Sequence, residues 1–103
     1  MSQRFDMKPT PLAGLMVAQR RVMGDHRGQF SRLYCLTELG AAGFNQAISQ
    51  INHSFTAVQG TVRGLHFQSP PHAETKIVTC LRGKIFDVAV DLRAGSPTFL
   101  QWH

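Results

Sequence analysis

Apolar and polar residues alternate most regularly between Lys84 and Arg93. In this stretch Phe86, Val88, Val90 and Leu92 share one face, and Ile85, Asp87, Ala89 and Asp91 share the other. Such alternation predicts a half-buried strand. The apolar run Lys76–Arg82 precedes it, and Gly83 supplies the positive φ that a short turn needs. The two runs are therefore predicted to pair as an antiparallel hairpin.

The N-terminal half shows a similar pattern of short apolar runs separated by turn residues. Leu15–Met23 and Gln29–Leu36 flank the turn-rich segment Gly24–Gly28, which predicts two strands around a turn. Leu36–Gln46 has helical character but is interrupted by two glycines, so a single helical turn is expected there. From Ala47 onward the pattern is typical of strands again.

A glycine interrupts the next predicted strand, Thr61–Gln68, which is followed by Pro70 and Pro71. At strict alternation Arg63 and His66 would point to opposite faces, and a bulge at Gly64 would bring both to one face. Many short strands with turns at intervals of roughly 8 to 12 residues indicate an all-β sandwich or barrel. A turn around Gly95 follows, and the sequence ends as another strand would begin.

Length and composition narrow the class of protein. With 103 residues, 43% hydrophobic and 17% charged, the chain suits one domain and is too apolar for a disordered tail. No apolar run approaches the roughly 20 residues of a membrane span. The N-terminus lacks the apolar core of a secretory signal, so a cytoplasmic location is expected. Cys35 and Cys80 have no zinc-like spacing and are predicted to be reduced core thiols.

The charge balance favours an anionic partner. Lys and Arg number 11 against 6 Asp and Glu, a formal net charge of +5, which suits a nucleic acid, an anionic surface or a phosphorylated ligand. The basic pairs Arg20–Arg21 and Arg82–Lys84 lie beside turns or on strand faces and are not interleaved with aromatic residues as in single-strand binders. We therefore expect no nucleic-acid partner and no membrane partner.

Polar residues able to do chemistry are concentrated in the predicted strands of the second half: Gln50, Asn52, Arg63, His66, Gln68 and Lys76. An imidazole can act as a general base at neutral pH. An ammonium group stabilises a developing enolate, and a guanidinium suits a phosphate. The simpler interpretation remains open: His66 as an ordinary core or rim residue, and Arg63 and Lys76 as surface charges.

A metal site is a further alternative on these strands. His66, Gln68 and Glu74 approximate the His-x-His and following Glu by which cupin barrels hold a divalent metal. An amide is a poor replacement for imidazole toward transition metals, so no metal is expected. A metal-dependent cupin enzyme stays as an alternative.

An ordered set of motifs carries a resemblance to a known family. The segments are Gly24–Phe30, Gln50–Ser54, Gly60–Gln68, Pro70–Pro71, Glu74–Lys76, Ile85–Arg93 and Gly95–Thr98. Through these segments, which extend over nearly its whole length, the chain resembles the dTDP-4-dehydrorhamnose 3,5-epimerase family of the cupin superfamily. The resemblance implies a cupin-type jelly-roll barrel, usually a homodimer, that needs no cofactor or metal. It also implies inversion of C3 and C5 beside the C4 ketone of a dTDP-4-keto-6-deoxysugar.

The resemblance also implies roles for individual residues. His66 corresponds to the general base that removes the proton next to the ketone, and Lys76 to the cation against the C4 oxygen. Arg63 corresponds to a substrate-binding residue, and Gln50 and Asn52 match the Gln-x-Asn element of the sugar-nucleotide site. Arg27 matches an arginine that contacts the nucleotide portion, commonly from the partner subunit.

Two features depart from the family pattern. Arg32 stands where the family usually has Glu, which bears on nucleotide preference. Family chains continue beyond the position of His103, and that part carries a reprotonating Tyr and an Asp that orients the base. We therefore expect residues 1–103 to be a single partial jelly-roll domain, lacking the C-terminal strands, with little or no epimerase activity alone. A non-catalytic sugar-nucleotide-binding remnant is the second alternative.

Overall fold

The computed structural model describes residues 3–103, and its regular structure is mainly antiparallel strand. In chain order the elements are β1 (Phe5–Pro9), β2 (Met16–Arg20), β3 (Met23–Asp25), β4 (Gly28–Phe30) and α1 (Leu36–Ala41). Two strands pair in each of two small sheets, β1 with β2 and β3 with β4. This agrees with the all-β prediction, but the described residues form no closed barrel.

The first hairpin pairs β1 with β2 in a register running from Phe5 opposite Arg20 to Pro9 opposite Met16. An ion pair crosses it just past the end of β2, where Arg21 Nη2 lies 2.6 Å from Asp6 Oδ1. This pair is half exposed, so it contributes little to stability.

The loop of this hairpin is organised by one hydroxyl group. Thr10 Oγ1 accepts a hydrogen bond from the backbone N–H of Leu12 at 3.2 Å and lies 2.9 Å from the carbonyl oxygen of Leu15. Gly14 adopts a φ of +83°, a conformation that side chains disfavour. The hydroxyl satisfies backbone groups that the turn leaves without ladder partners.

The second hairpin confirms the turn predicted at Gly24–Gly28. Strands β3 and β4 are joined by a loop of two residues, His26 and Arg27. The predicted strands are shortened, however: Leu15–Met23 is divided between β2 and β3, and β4 ends at Phe30.

Helix α1 confirms the single short helix expected around Leu36–Gln46. Its end is a Schellman motif, in which the N–H of Phe44 bonds to the Leu39 carbonyl at 2.9 Å and that of Gly43 to the Gly40 carbonyl at 3.1 Å. Gly43 has a φ of +111°, which explains why a glycine ends the helix at this point.

The carboxylate of Glu38 connects α1 to the start of β1. It accepts hydrogen bonds from the backbone N–H groups of Arg4 and Phe5, each at 3.0 Å to Oε2, and from Arg32 Nη1 at 3.1 Å. Burial raises the pKa of this carboxyl group, but the three hydrogen bonds together outweigh it and the pKa is lowered. Glu38 thereby holds two segments more than thirty residues apart.

The predicted strands of the second half do not form. Residues 44–89 contain no helix or strand, and only Val90 makes a bridge, antiparallel to Trp102. The strand prediction was therefore wrong for Thr61–Gln68, for Lys76–Arg82 and for most of Lys84–Arg93. The bulge predicted at Gly64 was also wrong, because there is no strand for it to interrupt. Gly83 does have the predicted positive φ, +83°. Alternation makes a segment compatible with a sheet, but its backbone groups need a neighbouring strand about 4.8 Å away, and residues 44–88 have no such neighbour within the described chain.

The buried core is small and lies in the N-terminal part. Phe5, Leu12 and Leu39 are the buried hydrophobic residues among those described, whereas Val62 and Phe86 are each 88% exposed. Cys35 and Cys80 are unpaired, as predicted, but partly exposed, so their placement in the core was wrong. With so few buried side chains, local hydrogen bonds account for much of the order in the chain.

Gly40 within α1 and Gly43 just beyond its end provide a test of the Schellman motif. Gly43→Ala is expected to destabilise the chain by about 1 kcal/mol, because a Cβ disfavours the left-handed conformation at this position. Gly40→Ala, in the helix itself with open space around it, is expected to stabilise by about 0.5–1 kcal/mol. Urea unfolding of both variants measures the difference. Equal shifts of the same sign would contradict the assigned helix end.

Candidate functional site

The sequence-predicted site residues lie on exposed parts of the chain. Arg27 is in the β3–β4 loop, and Gln50, Asn52, Arg63, His66 and Lys76 lie on the segment without regular structure. All six are exposed. The structure thus presents these side chains to solvent, and the enclosed barrel interior expected around them is not formed by the described residues.

Arg27 is held in a defined conformation by its neighbour Asp25. The guanidinium Nη2 donates to Asp25 Oδ2 at 2.7 Å, and the backbone N–H of Arg27 donates to Oδ1 at 2.8 Å. The side-chain hydrogen bond lowers the pKa of Asp25 and raises that of Arg27. The hairpin borders an open depression of about 550 Å³ whose lining includes Arg27, Gln29 and Phe30.

A second grouping lies on residues 68–76. With the Gln68 amide oriented by its neighbours, its Nε2 donates to both carboxylate oxygens of Glu74, at 2.7 and 3.1 Å. The ammonium nitrogen of Lys76 is 4.0 Å from Glu74 Oε2. The structure thus brings Gln68 and Lys76 together around one carboxylate, an arrangement that the sequence reasoning did not include.

His66 and Arg63 are not joined to this grouping. The Nδ1 atom of His66 packs close to the backbone of Gly64, 3.2 Å from where a Cβ would stand. Across residues 3–103, no side-chain hydrogen bond or ion pair links His66, Arg63, Gln50 or Asn52 to Lys76. A shared site for these residues therefore stays a prediction.

The described part of the chain shows neither a metal-binding cluster nor a membrane-spanning helix. Between residues 3 and 103, no three His, Cys, Asp or Glu side chains cluster so as to hold a metal ion. Among the same residues, no helix is both long and apolar enough to cross a membrane.

The most highly connected polar group is Asp91, which sequence reasoning treated only as one face of a strand. Its carboxylate accepts hydrogen bonds from Arg93 Nε at 2.9 Å, from Ser96 Oγ at 2.6 Å and from Thr98 Oγ1 at 2.6 Å. These bonds, that of Arg93 first, hold the pKa of Asp91 far below its usual range. The signal in the sequence is Asp-x-Arg followed by Ser-x-Thr, a set of donors around one acid in a turn.

Arg32, the departure from the family pattern, has a partner within the chain. Its guanidinium donates to Glu38 Oε1 at 3.1 Å, and both side chains are partly buried. Its positive charge is thus engaged in connecting the β4–α1 segment to the helix. This contact accounts for an arginine here without requiring a ligand.

The family of the chain follows from its similarity to known proteins. A family model described as dTDP-4-dehydrorhamnose 3,5-epimerase matches residues 9–103. The chain belongs to the dTDP-4-dehydrorhamnose 3,5-epimerase family, which confirms the resemblance noted in the sequence.

Individual curated relatives of the chain are dTDP-4-dehydrorhamnose epimerases. The chain is 40% identical over 98 residues to a dTDP-4-dehydrorhamnose 3,5-epimerase of Streptomyces griseus, covering 94% of this chain and 48% of that protein. It is 44% identical over 91 residues to one of Sinorhizobium fredii, covering 88% and 47% respectively. A dTDP-4-dehydrorhamnose 3-epimerase of Streptomyces niveus is 39% identical over 98 residues, covering 94% and 47%.

The chain spans about half the length of the curated relatives it matches. No solved structure matches it.

The Asp91 cluster predicts a dependence of stability on pH. Because the folded pKa is below the unfolded value of about 3.9, Asp91 stabilises the fold above that pH, and its contribution is lost progressively as the pH falls further. Asp91→Asn is expected to lower the thermal midpoint of unfolding at pH 7 by several degrees. The midpoint of this variant is expected to fall less between pH 7 and pH 2 than that of the unchanged chain. Asp87→Asn, which removes an exposed carboxylate four residues earlier, is the control. Equal effects of the two variants across this pH range would contradict the role of Asp91.

Proposed function

We propose that this chain acts in the epimerisation at C3 and C5 of dTDP-4-dehydro-6-deoxyglucose to dTDP-4-dehydrorhamnose, in dTDP-rhamnose biosynthesis. The observation that carries the proposal is the family match over residues 9–103, which includes all six proposed site residues. The class of reaction is proton abstraction beside a ketone, without a cofactor or a metal.

His66 is the proposed general base. A C4 ketone acidifies the hydrogens on C3 and C5, so an imidazole that accepts a proton near neutral pH is suited to remove them. Removal leaves an enolate, and inversion then needs an acid that gives a proton to the opposite face of the carbon, the role that the family resemblance assigns to a tyrosine. The exposed position of His66 leaves its ring accessible to a substrate.

Lys76 is the proposed electrostatic partner of the ketone oxygen. As the C–H bond breaks, negative charge develops on the C4 oxygen, and a nearby ammonium group lowers the energy of that state. The contact with Glu74 Oε2, at 4.0 Å, places a carboxylate beside Lys76. It also leaves hydrogen-bond donors of the ammonium group available, because the distance is too long for a direct hydrogen bond.

The remaining site residues are proposed to bind the sugar nucleotide. Arg27 and Arg63 carry guanidinium groups, which suit the diphosphate by charge and by shape. Gln50 and Asn52 carry amides that can both donate to and accept from sugar and base oxygens. The two arginines carry part of the chain's net positive charge, which attracts a doubly anionic ligand.

The proposed architecture is a cupin-type jelly roll, with residues 1–103 as part of a single domain that forms a homodimer in the cytoplasm. Support comes from the hydrophobic side chains that the present arrangement leaves exposed, including Ile51, Val62, Phe67 and Phe86. Residues of this type at alternating positions are those that a packed double sheet would bury.

A second candidate is a module that binds the sugar nucleotide without catalysis. It is favoured by one observation: among residues 3–103, no hydrogen bond or ion pair joins His66 to Lys76. A metal-dependent cupin enzyme is the third alternative, and it predicts activity that a chelator removes.

Solvent deuterium exchange tests the proposal. The chain, at a concentration comparable to that of dTDP-4-dehydro-6-deoxyglucose, is incubated in D2O, and deuterium at C3 and C5 is measured by NMR. We expect exchange above the buffer rate with little inversion, because exchange requires the base but not a second proton donor on the opposite face. His66→Asn is expected to reduce exchange by about 10² or more, as for loss of a general base. Lys76→Gln is expected to reduce it by about 10². His72→Asn, which changes another exposed histidine, serves as the control.

The alternatives have distinct outcomes in this assay. Binding of dTDP with exchange at the buffer rate would refute the catalytic proposal in favour of a binding module. Exchange abolished by EDTA and restored by a divalent metal would favour the metal-dependent enzyme. Equal exchange by His66→Asn and the unchanged chain would remove the histidine from the role of base.

A further inference from the structure

Asp25 accepts four hydrogen bonds from a single residue, Arg27. Its Oδ1 accepts from the backbone N–H at 2.8 Å and from Nε at 3.3 Å, and its Oδ2 accepts from Nε at 3.2 Å and Nη2 at 2.7 Å. The loop of the hairpin contains only His26 and Arg27. The arginine side chain is therefore folded back onto the start of its own turn.

This arrangement leaves one edge of the guanidinium group available. Of its five N–H bonds, the one on Nε and one on Nη2 point to Asp25, which leaves both on Nη1 and one on Nη2. Among residues 3–103, Nη1 makes no hydrogen bond. The Arg27 side chain is 80% exposed, so the Nη1–Nη2 edge faces solvent. A pair of parallel N–H bonds on one edge matches two oxygens of a phosphate.

We propose that Asp25 is a positioning residue, which holds the Nη1–Nη2 edge of Arg27 ready to bind the diphosphate group of a sugar nucleotide. This inference rests on the proposed function, because that function assigns Arg27 to the nucleotide portion. An unrestrained arginine loses rotamer freedom when it binds an anion. Asp25 imposes much of that restriction before the ligand arrives, so less binding free energy is lost to ordering.

The negative charge of Asp25 has the opposite effect, because it repels an approaching anion. At this exposed hairpin the repulsion is weakened by water and salt. The restriction of the side chain is set by local geometry, since donor and acceptor are two residues apart and the backbone N–H of Arg27 shares the same acceptor. We therefore expect the positioning effect to exceed the repulsion.

Arg27 also lines an open depression along the β3–β4 hairpin. The open depression of about 550 Å³ is lined by residues of both strands and by Arg27. The hydrogen bond to Arg27 lowers the pKa of Asp25, and the reciprocal bond raises that of Arg27, so the pair stays ionised at neutral pH.

Calorimetric titration with dTDP tests the inference on three variants of the whole chain. Arg27→Ala is expected to weaken binding by tenfold or more, through loss of the guanidinium group. Asp25→Asn keeps an oxygen that can accept the Arg27 backbone N–H but removes the charged bidentate contact. We expect it to weaken binding about three- to tenfold, the size expected for ordering one long side chain.

Asp6→Asn is the matched control for charge. Asp6 also forms a half-exposed pair with an arginine, Arg21, at 2.6 Å, on the first hairpin. The control therefore changes the net charge by the same amount and breaks a similar ion pair away from Arg27. It is expected to leave the affinity for dTDP unchanged.

A spectroscopic measurement without ligand separates positioning from general stability. In the unchanged chain the Nε–H proton of Arg27 is expected to give a resolved signal that exchanges slowly with water, because it is bonded to Asp25. Asp25→Asn is expected to speed this exchange while the backbone amide signals of β3 and β4 stay in place. Asp25→Glu, which retains the carboxylate, is expected to restore part of the protection and part of the affinity.

The outcomes distinguish the inference from the function on which it rests. If Arg27→Ala weakens binding but Asp25→Asn binds dTDP equally well or more tightly, the positioning role is overturned and the role of Arg27 stands. If Arg27→Ala binds like the unchanged chain, or if that chain does not bind dTDP, the proposed function of Arg27 fails and the inference fails with it. Equally fast Nε–H exchange in the unchanged chain and Asp25→Asn would also overturn it.

Discussion

Carboxylates that accept hydrogen bonds from nearby arginines and backbone amides hold the ordered parts of this molecule. Asp25 closes the second hairpin, Glu38 joins the start of β1 to α1, and Asp91 organises the turn that precedes Thr98. In each case an arginine supplies part of the donor set. A charged acceptor gives a stronger hydrogen bond than a neutral one, which explains how short segments with few buried side chains keep a defined shape.

The same interaction relates structure to the proposed chemistry. Arg27 and Lys76, the two proposed site cations for which the structure shows carboxylate contacts, face Asp25 and Glu74 respectively. The contact to Arg27 is short and fourfold, whereas that to Lys76 is at 4.0 Å. One cation is thus firmly oriented, and the other remains able to move toward a substrate oxygen. A firmly oriented Arg27 suits the binding of a permanent anion. A movable Lys76 suits the stabilisation of negative charge that develops during a reaction.

Arg32 shows how a local contact changes the meaning of a sequence feature. As a departure from the family pattern it pointed to altered nucleotide binding, because a charge reversal near a binding segment affects an anionic ligand directly. In the structure the guanidinium is partly buried and bonded to Glu38. The partner of Arg32, Glu38, is six residues away in the chain and belongs to no ligand-binding motif of the sequence.

The sequence by itself determined the family, the turn at Gly24–Gly28, the short helix and its glycine end, and the identity of the candidate residues. Each of these depends on residue types within a few positions of one another, or on motifs in a linear order. The tertiary structure decided which alternating segments became strands, that Glu38 joins α1 to the start of β1, and that Val62 and Phe86 stay exposed. A strand and a contact such as that of Glu38 with Phe5 both require partners brought from elsewhere in the chain, and periodicity does not identify those partners.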